Sequence, residues 1–380
     1  MGTPNIQVLK PVYRVEECLA EIRVCLEKGW TGLGFKTTEF EEAWKKYTSL
    51  PHAHFVNSAT AGLHLALNIL KSYYGWEDGD EVITTPLTFV STNHAILYER
   101  LAPVFADVDS HFLCLDPESI EKKITSRTRA VVYVGLGGRV GNLQAVSDLC
   151  KRHGLKLILD GAHMAGTKLN GRHVGSEADV AVFSFQSVKN LPTADSGMVC
   201  FKDLELDARA RKMSWLGIDK DTYARSGGNG TYKWKYDVPY LGFKYHGNSI
   251  MAAMGLVALR YLDQDNERRR WMACQYGNTL EKSKLWVPQD IYGAESSNHI
   301  FQIVVEERDQ VLAALNGRGI FPGVHYVDNT NYPMYRHGAD PDSFSALVSP
   351  KLLSLPLHLE MTDDDVARVV DAVNEITSTL

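Results

Sequence analysis

Two residues of this chain could share one chemistry. Lys189 lies in Ser184-Phe185-Gln186-Ser187-Val188-Lys189-Asn190-Leu191, just after the apolar run Val180-Ala181-Val182-Phe183. Asp160 closes an earlier apolar run, Leu157-Ile158-Leu159, and leads into Gly161-Ala162-His163. A strand that ends in Ser-Phe and then turns through a single lysine aims an amine into a cleft. With a carboxylate at an earlier strand end, it makes the pair that pyridoxal 5'-phosphate (PLP) requires. The lysine forms the Schiff base, and the aspartate keeps the pyridinium nitrogen protonated so that the ring can act as an electron sink. Taken singly, Lys189 reads as a solvated turn lysine and Asp160 as the cap of the next turn.

The elements around them form an alternating series. Strand signals fall at 53–56, 81–84, 103–106, 130–134, 156–159, 178–184 and 198–201. Amphipathic helical patterns at 61–71, 92–99, 117–124 and 143–153 lie between several of them, the last stopped by Gly154. This order predicts an α/β sheet with helices on both faces and ligands at the carboxyl ends of its strands. The pattern breaks from Met213 to Ser249, where Ser226-Gly227-Gly228-Asn229-Gly230 precedes the aromatic and basic Tyr232-Lys233-Trp234-Lys235-Tyr236. A helix is expected over about 250–263, then a strand at 300–305, a helix at 308–318, a strand at 324–327 and a final helix. Thr362-Asp363-Asp364-Asp365 resembles a capping box for that last helix. The expected division is a large domain over 30–260 and a smaller α/β domain over 261–380, joined by residues 1–29.

Composition narrows the function classes. The chain has 380 residues, 44% of them hydrophobic, enough for a large core. A net charge of -6 and a pI near 6.1 leave no basic footprint, so nucleic acid is not an expected partner. No apolar run reaches the ~18 residues of a membrane span. The opening Met1-Gly2-Thr3-Pro4-Asn5 lacks the charged and apolar regions of a secretory leader. Six scattered cysteines show no metal-ligand spacing, and no metal site is expected. The expectation is a cytoplasmic protein with reduced thiols.

The order of several motifs resembles the DegT/DnrJ/EryC1/StrS family. The motifs are Asn57-Ser58-Ala59-Thr60-Ala61-Gly62-Leu63, Thr88-Phe89, Asp160-Gly161-Ala162-His163 and Ser184-Phe185-x-x-x-Lys189-Asn190-Leu191. Gly29-Trp30-Thr31-Gly32-Leu33-Gly34 is similar to the family's entry segment. The C-terminal Gly319-Ile320-Phe321-Pro322-Gly323-Val324-His325-Tyr326 and Leu353-Ser354-Leu355-Pro356-Leu357-His358 are similar to its later motifs. The resemblance implies a PLP-dependent sugar aminotransferase of fold type I, with a mostly parallel seven-stranded sheet and a smaller C-terminal α/β domain.

It also implies roles. Lys189 anchors PLP and shuttles a proton, and Asp160 partners the pyridine nitrogen. Thr60 and Ala61, at a helix N-terminus suited to phosphate, bind the phosphate with the Ser184 hydroxyl. Phe89 stacks on the ring; the residue alone reads equally as core packing. His163 lies over or beside the ring, or is a satisfied buried histidine. Gly32, His325 and Tyr326 fall in the substrate region. The expected donor is L-glutamate and the acceptor a nucleotide-linked 3- or 4-keto sugar, on a homodimer with shared sites. Residues 233–248 would reach the partner, with Lys244 the favoured cross-subunit phosphate contact ahead of His246 and Asn248.

Three departures from the family bear on the substrate pocket: Gly135 and Gln186 stand where members often carry His, and Ala194-Asp195-Ser196-Gly197 replaces a Gly-Glu-Gly-Gly type segment. Alternatives on the same fold are a PMP-dependent sugar dehydratase, in which histidine typically replaces the lysine, and a non-catalytic regulatory member. Lys189 argues against the first, and retention of Lys189, Asp160 and Ser184 together argues against the second. A cysteine desulfurase would need a cysteine in a Gly/Ser-rich active loop, and none sits in one.

Overall fold

The computed structural model describes residues 4–219 and 236–379. The turn at 226–230 and most of the aromatic-basic segment, 232–235, lie outside the described residues.

Seven strands form the central sheet: β1 His54–Val56, β2 Glu81–Thr84, β3 Ala102–Phe105, β4 Thr128–Val134, β5 Lys156–Asp160, β6 Val180–Ser184 and β7 Gly197–Phe201. Their spatial order is β1-β7-β6-β5-β4-β2-β3. Every pairing from β6 to β3 is parallel, and only β7 runs antiparallel to both its neighbours. This is the mostly parallel α/β sheet that the alternating pattern implies. Because β1 and β2 to β6 share one direction, their carboxyl ends open on one edge.

Alternation along the strands divides two cores. Val131, Tyr133, Leu157, Leu159, Ala181 and Phe183 face a cluster with Phe40, Trp44, Phe55 and Phe185. Ala130, Val132, Ile158, Val180 and Val182 face Leu63, Leu67 and Leu70 of the helix Ala59–Tyr74. Both faces are apolar, as a parallel sheet covered by helices requires. Trp44 anchors the first core, with ring centroids 5.1 Å from both Phe183 and Phe185.

A second centre of packing lies in the C-terminal third. Leu285–Trp286, Phe301–Val305 and Leu352–Leu355 form an antiparallel sheet beside the helices Arg308–Gly317 and Asp363–Ser378. Ile6–Gln7 joins this part by pairing with Ile320–Phe321. The capping box at Thr362 is present, with Asp365 accepting from the Thr362 amide. The helix expected to end near 263 instead spans Ser249–Thr279, 31 residues. Asp265, Asn266 and Arg269 interrupt its apolar pattern, but Arg14 pairs with Asp265 at 2.6 Å and Asn266 bonds to Asn190. The helix therefore runs through the boundary expected at 260–261. It packs Ala252 and Leu262 into the first core and Met272 and Tyr276 into the C-terminal one.

The strand expected at 324–327 does not form. Gly323 makes one bridge to Ser354, and beyond it side chains replace the ladder. The Gln302 amide donates to the His325 carbonyl, and Ser349 Oγ donates to the Tyr326 carbonyl.

Gly197 opens β7 where the loop after β1 passes closest. A Cβ there would lie 2.7 Å from the Phe183 carbonyl oxygen, 2.8 Å from the Ala59 nitrogen and 3.0 Å from the Ser58 carbonyl carbon. All three are backbone atoms and cannot swing away. Gly197→Ala should cost about 1–3 kcal/mol through overpacking, read as a lowered midpoint in urea unfolding. An unchanged midpoint would show that the 58–59 loop moves aside freely.

Candidate active site

The carboxyl edge of the sheet encloses a cavity of about 470 Å³. Its walls are the strand ends Val134, Asp160 and Ser184, the loops Ser58–Ala59–Thr60 and Thr88–Phe89, and His163, Gln186, Lys189, Asp195, His299, His325 and Tyr326.

Lys189 reaches this space from a tight turn. Its amide donates to the Gln186 carbonyl at 2.8 Å, and Val188 N donates to the Gln186 side-chain oxygen at 3.0 Å. Gln186 thus folds back on its own turn while lining the cavity. Burial pushes the Lys189 amine down to about 8, and the nearby Asp160 carboxylate draws it partly back. An amine in that range can both react and carry a proton near neutral pH.

Asp160 is buried and its carboxyl is raised by that burial. Thr88 and Thr92 steady it: Thr92 Oγ1 donates to Asp160 Oδ2 at 2.7 Å, so the Thr88 hydroxyl, 2.9 Å away, donates to Thr92. Ala162 N donates to the other carboxylate oxygen at 3.1 Å. Sequence reasoning missed Thr92, which reads as an ordinary residue of an amphipathic helix.

His163 is a satisfied buried histidine that also lines the cavity. The Gly137 amide donates to its Nδ1 at 3.1 Å, so in the neutral ring the proton sits on Nε2 and is donated to the Tyr326 hydroxyl at 3.1 Å. Burial, together with Lys189, holds this imidazole well below its ordinary range. Tyr326 Oη is left with its own proton, which has no acceptor among the described residues. His325 Nδ1 lies 2.9 Å from Ser354 Oγ, and burial pushes that ring down to about 4.

A second missed residue, His299, lies beneath them. Its ring centroid is 4.4 Å from that of His163, and Lys189 Nζ donates to its Nε2 at 3.3 Å. The local sequence Ser296-Ser297-Asn298-His299 carries no motif spacing. The one available signal was a polar run placed directly before a buried strand.

At the anion end, Ser58 caps the helix Ala59–Tyr74 by accepting from Ala61 N at 3.1 Å. That bond occupies the Ala61 amide, and Ala61 is not among the cavity walls. Ala59 and Thr60 line the cavity beside Ser184, and their amides have no acceptor among the described residues. Phe89 is 56% exposed and 5.9 Å from the Tyr326 ring, free to lie against a planar ligand.

Three expected residues, Ala61, Gly32 and Lys244, do not line the cavity of their own chain. Gly32 turns toward the helix Ser249–Thr279, where its carbonyl accepts from Ser249 N and Oγ. Lys244 Nζ sits over the Trp215 ring, 3.3 Å from its centroid. Gly135, where relatives often carry His, is backed by Met164: a Cβ there would lie 2.0 Å from the sulfur.

The donor set suits PLP. A buried carboxylate can face the pyridine nitrogen, and a depressed amine can bond the aldehyde carbon. Free N–H groups at a helix N-terminus can take the phosphate. In the cofactor-free protein, the reaction of Lys189 with an amine reagent, followed by mass spectrometry, should rise through a midpoint near 8. Asp160→Asn should lower that midpoint, because the carboxylate raises it. A wild-type midpoint near 10.5, the ordinary lysine value, would mean a solvated amine.

Residues 13–374 match the model of the DegT/DnrJ/EryC1/StrS aminotransferase family. The spore coat polysaccharide biosynthesis protein SpsC of Bacillus subtilis is 34% identical over 373 residues, covering 95% of this chain and 94% of SpsC. The aminotransferase TlmJ of Streptoalloteichus hindustanus superposes with a TM-score of 0.89 at 31% identity, covering 99% of each chain. The putative sugar aminotransferase Spr1654 of Streptococcus pneumoniae, in its PLP form, gives a TM-score of 0.90 at 26% identity, again over 99% of each. The chain belongs to the DegT/DnrJ/EryC1/StrS aminotransferase family and is a PLP-dependent sugar aminotransferase of fold type I.

Proposed function

We propose that this enzyme transfers an amino group from L-glutamate to the 3- or 4-keto group of a nucleotide-linked sugar, in the supply of an aminodeoxysugar to a polysaccharide. The observation that carries the reading is the opening of Lys189 and Asp160 on one cavity with a free helix N-terminus. Supporting it, the SpsC relative is named for polysaccharide biosynthesis.

Bound PLP supplies the electron sink that lets a carbon bearing the amine lose a proton. Lys189 would hold the cofactor through its aldehyde carbon, and its burial-depressed amine can take that proton and return it near neutral pH. Asp160, steadied by Thr92 and Ala162, holds a proton on the pyridine nitrogen. Ser184 and the free N–H groups of Ala59 and Thr60 would hold the phosphate, and Phe89 and His163 would line the ring. The free Tyr326 proton, with His325 beside it, is offered to a substrate oxygen. Donor and acceptor use this one site in turn, so initial-velocity lines should be parallel.

Lys189→Ala should fold and lose turnover, while Asp160→Asn should lose on the order of 10²-fold in rate. Wild-type-like transamination by the lysine variant would overturn the assignment. Assay against a panel of keto sugars with glutamate, read by mass spectrometry, identifies the acceptor. Intersecting lines, or failure of glutamate to convert bound PLP to its amino form, would remove glutamate or the two-stage scheme.

The same reading takes the working form as a cytoplasmic homodimer in which Lys244, with His246 and Asn248 nearby in sequence, meets the partner's phosphate. The position of Lys244 outside its own chain's cavity agrees with such a role. Mixing Lys189→Ala with Lys244→Ala subunits tests it. Under random pairing half the dimers are mixed and regain one intact site, so activity should recover to roughly a quarter of wild type. No recovery after proven subunit exchange would place Lys244 in its own site or in none.

A further inference from the structure

We propose that His299 is a positioning residue for Lys189. Locked by Asn190 in the tautomer with its proton on Nδ1, it presents Nε2 as a permanent acceptor and holds the lysine amine in one orientation. The inference rests on the reading of Lys189 as the reacting amine.

The lock follows from a chain of bonds whose directions leave no choice. The Ala165 carbonyl can only accept, so the Asn266 group 2.9 Å from it is the NH2 end. Asn266 therefore turns its oxygen to Asn190, whose NH2 donates to it at 2.7 Å and to the Ser297 carbonyl at 2.7 Å. Both Asn190 protons are then spent, and the atom 3.0 Å from His299 Nδ1 is the amide oxygen. An oxygen there demands a proton on Nδ1. The neutral ring is left with a lone pair on Nε2, 3.3 Å from Lys189 Nζ.

The surroundings keep the ring neutral. Lys189 faces Asp160, His163, His299 and His325, with Tyr326 across the cavity. Burial first, then Lys189, His163, His325 and Arg269, hold His299 well below its ordinary range. His299 therefore accepts without storing a proton. The buried amide chain reaches from the Lys189 turn through Asn190 to the helix Ser249–Thr279 and the segment before Phe301–Val305. It ties the amine's direction to two elements far from it in sequence.

The test compares wild type with His299→Leu, His299→Gln and Asn190→Ser, each checked for folding by thermal unfolding and circular dichroism. In cofactor-free protein, the pH midpoint of Lys189 modification should fall in His299→Leu, because an acceptor favours the ammonium form. It should return toward wild type in His299→Gln, whose side-chain oxygen can accept. With PLP loaded, His299→Leu should lose about 10²-fold in kcat with little change in KM, the scale of a misplaced reacting group. Asn190→Ser keeps the imidazole but frees its tautomer, and should lower both midpoint and kcat by less. A folded His299→Leu with wild-type midpoint and kcat overturns the proposal. If that variant does not fold, an unchanged midpoint in Asn190→Ser overturns it. Failure of wild type to bond PLP at Lys189 would instead sink the proposed function, while the midpoint series still decides the role of His299.

Discussion

An ammonium group is disfavoured away from water, and at Lys189 the attraction of Asp160 offsets only part of that cost. Asp160 is disfavoured in the same space for the same reason, and its hydrogen bonds to Thr92 and Ala162 offset part of its own penalty. Two opposite charges in one poorly solvated cavity make each other tolerable, and neither returns to its solution behaviour. The parallel sheet makes this possible, because it delivers the ends of β4, β5 and β6 to one edge while covering both faces with apolar helices.

The two histidines carry that logic further. His163 and His299 lie with ring centroids 4.4 Å apart at a tilt of 47° and are both held neutral, yet their protons sit on opposite nitrogens. A backbone amide sets one and a side-chain amide oxygen sets the other. Neutral rings beside a lysine avoid piling positive charge around it, and fixed tautomers give each nitrogen a single role. The cavity thus has directional donors and acceptors before any ligand arrives.

What was readable in the sequence was what local apolar pattern writes. The strands ending at Asp160 and Ser184, the turn through Lys189 and the capped helix after Ser58 all lie where runs of hydrophobic residues meet polar ends. His299, Thr92 and Asn266 were not readable, because their partners are remote in sequence: Lys189 for His299, Asp160 for Thr92, Asn190 for Asn266. The false strand at 324–327 failed for a related reason. Its backbone is claimed by the side chains of Gln302 and Ser349, and no pattern of its own residues records that. At the start of the helix Ala59–Tyr74 the Ser58 cap takes the Ala61 amide, a bond that the motif alone does not assign.

The helix Ser249–Thr279, roughly 45 Å long at about 1.5 Å per residue, has a consequence in time. A ribosome delivers Thr60, Asp160, Ser184 and Lys189 well before Asn266, Ser297 and His299. Through that interval the residues that bond behind the amine are absent from the chain. The Asn266 bond to Asn190 requires the long helix to lie against the first core. The residues that direct the amine are thus made after those that react, and before His325, Tyr326 and the strand Leu352–Leu355.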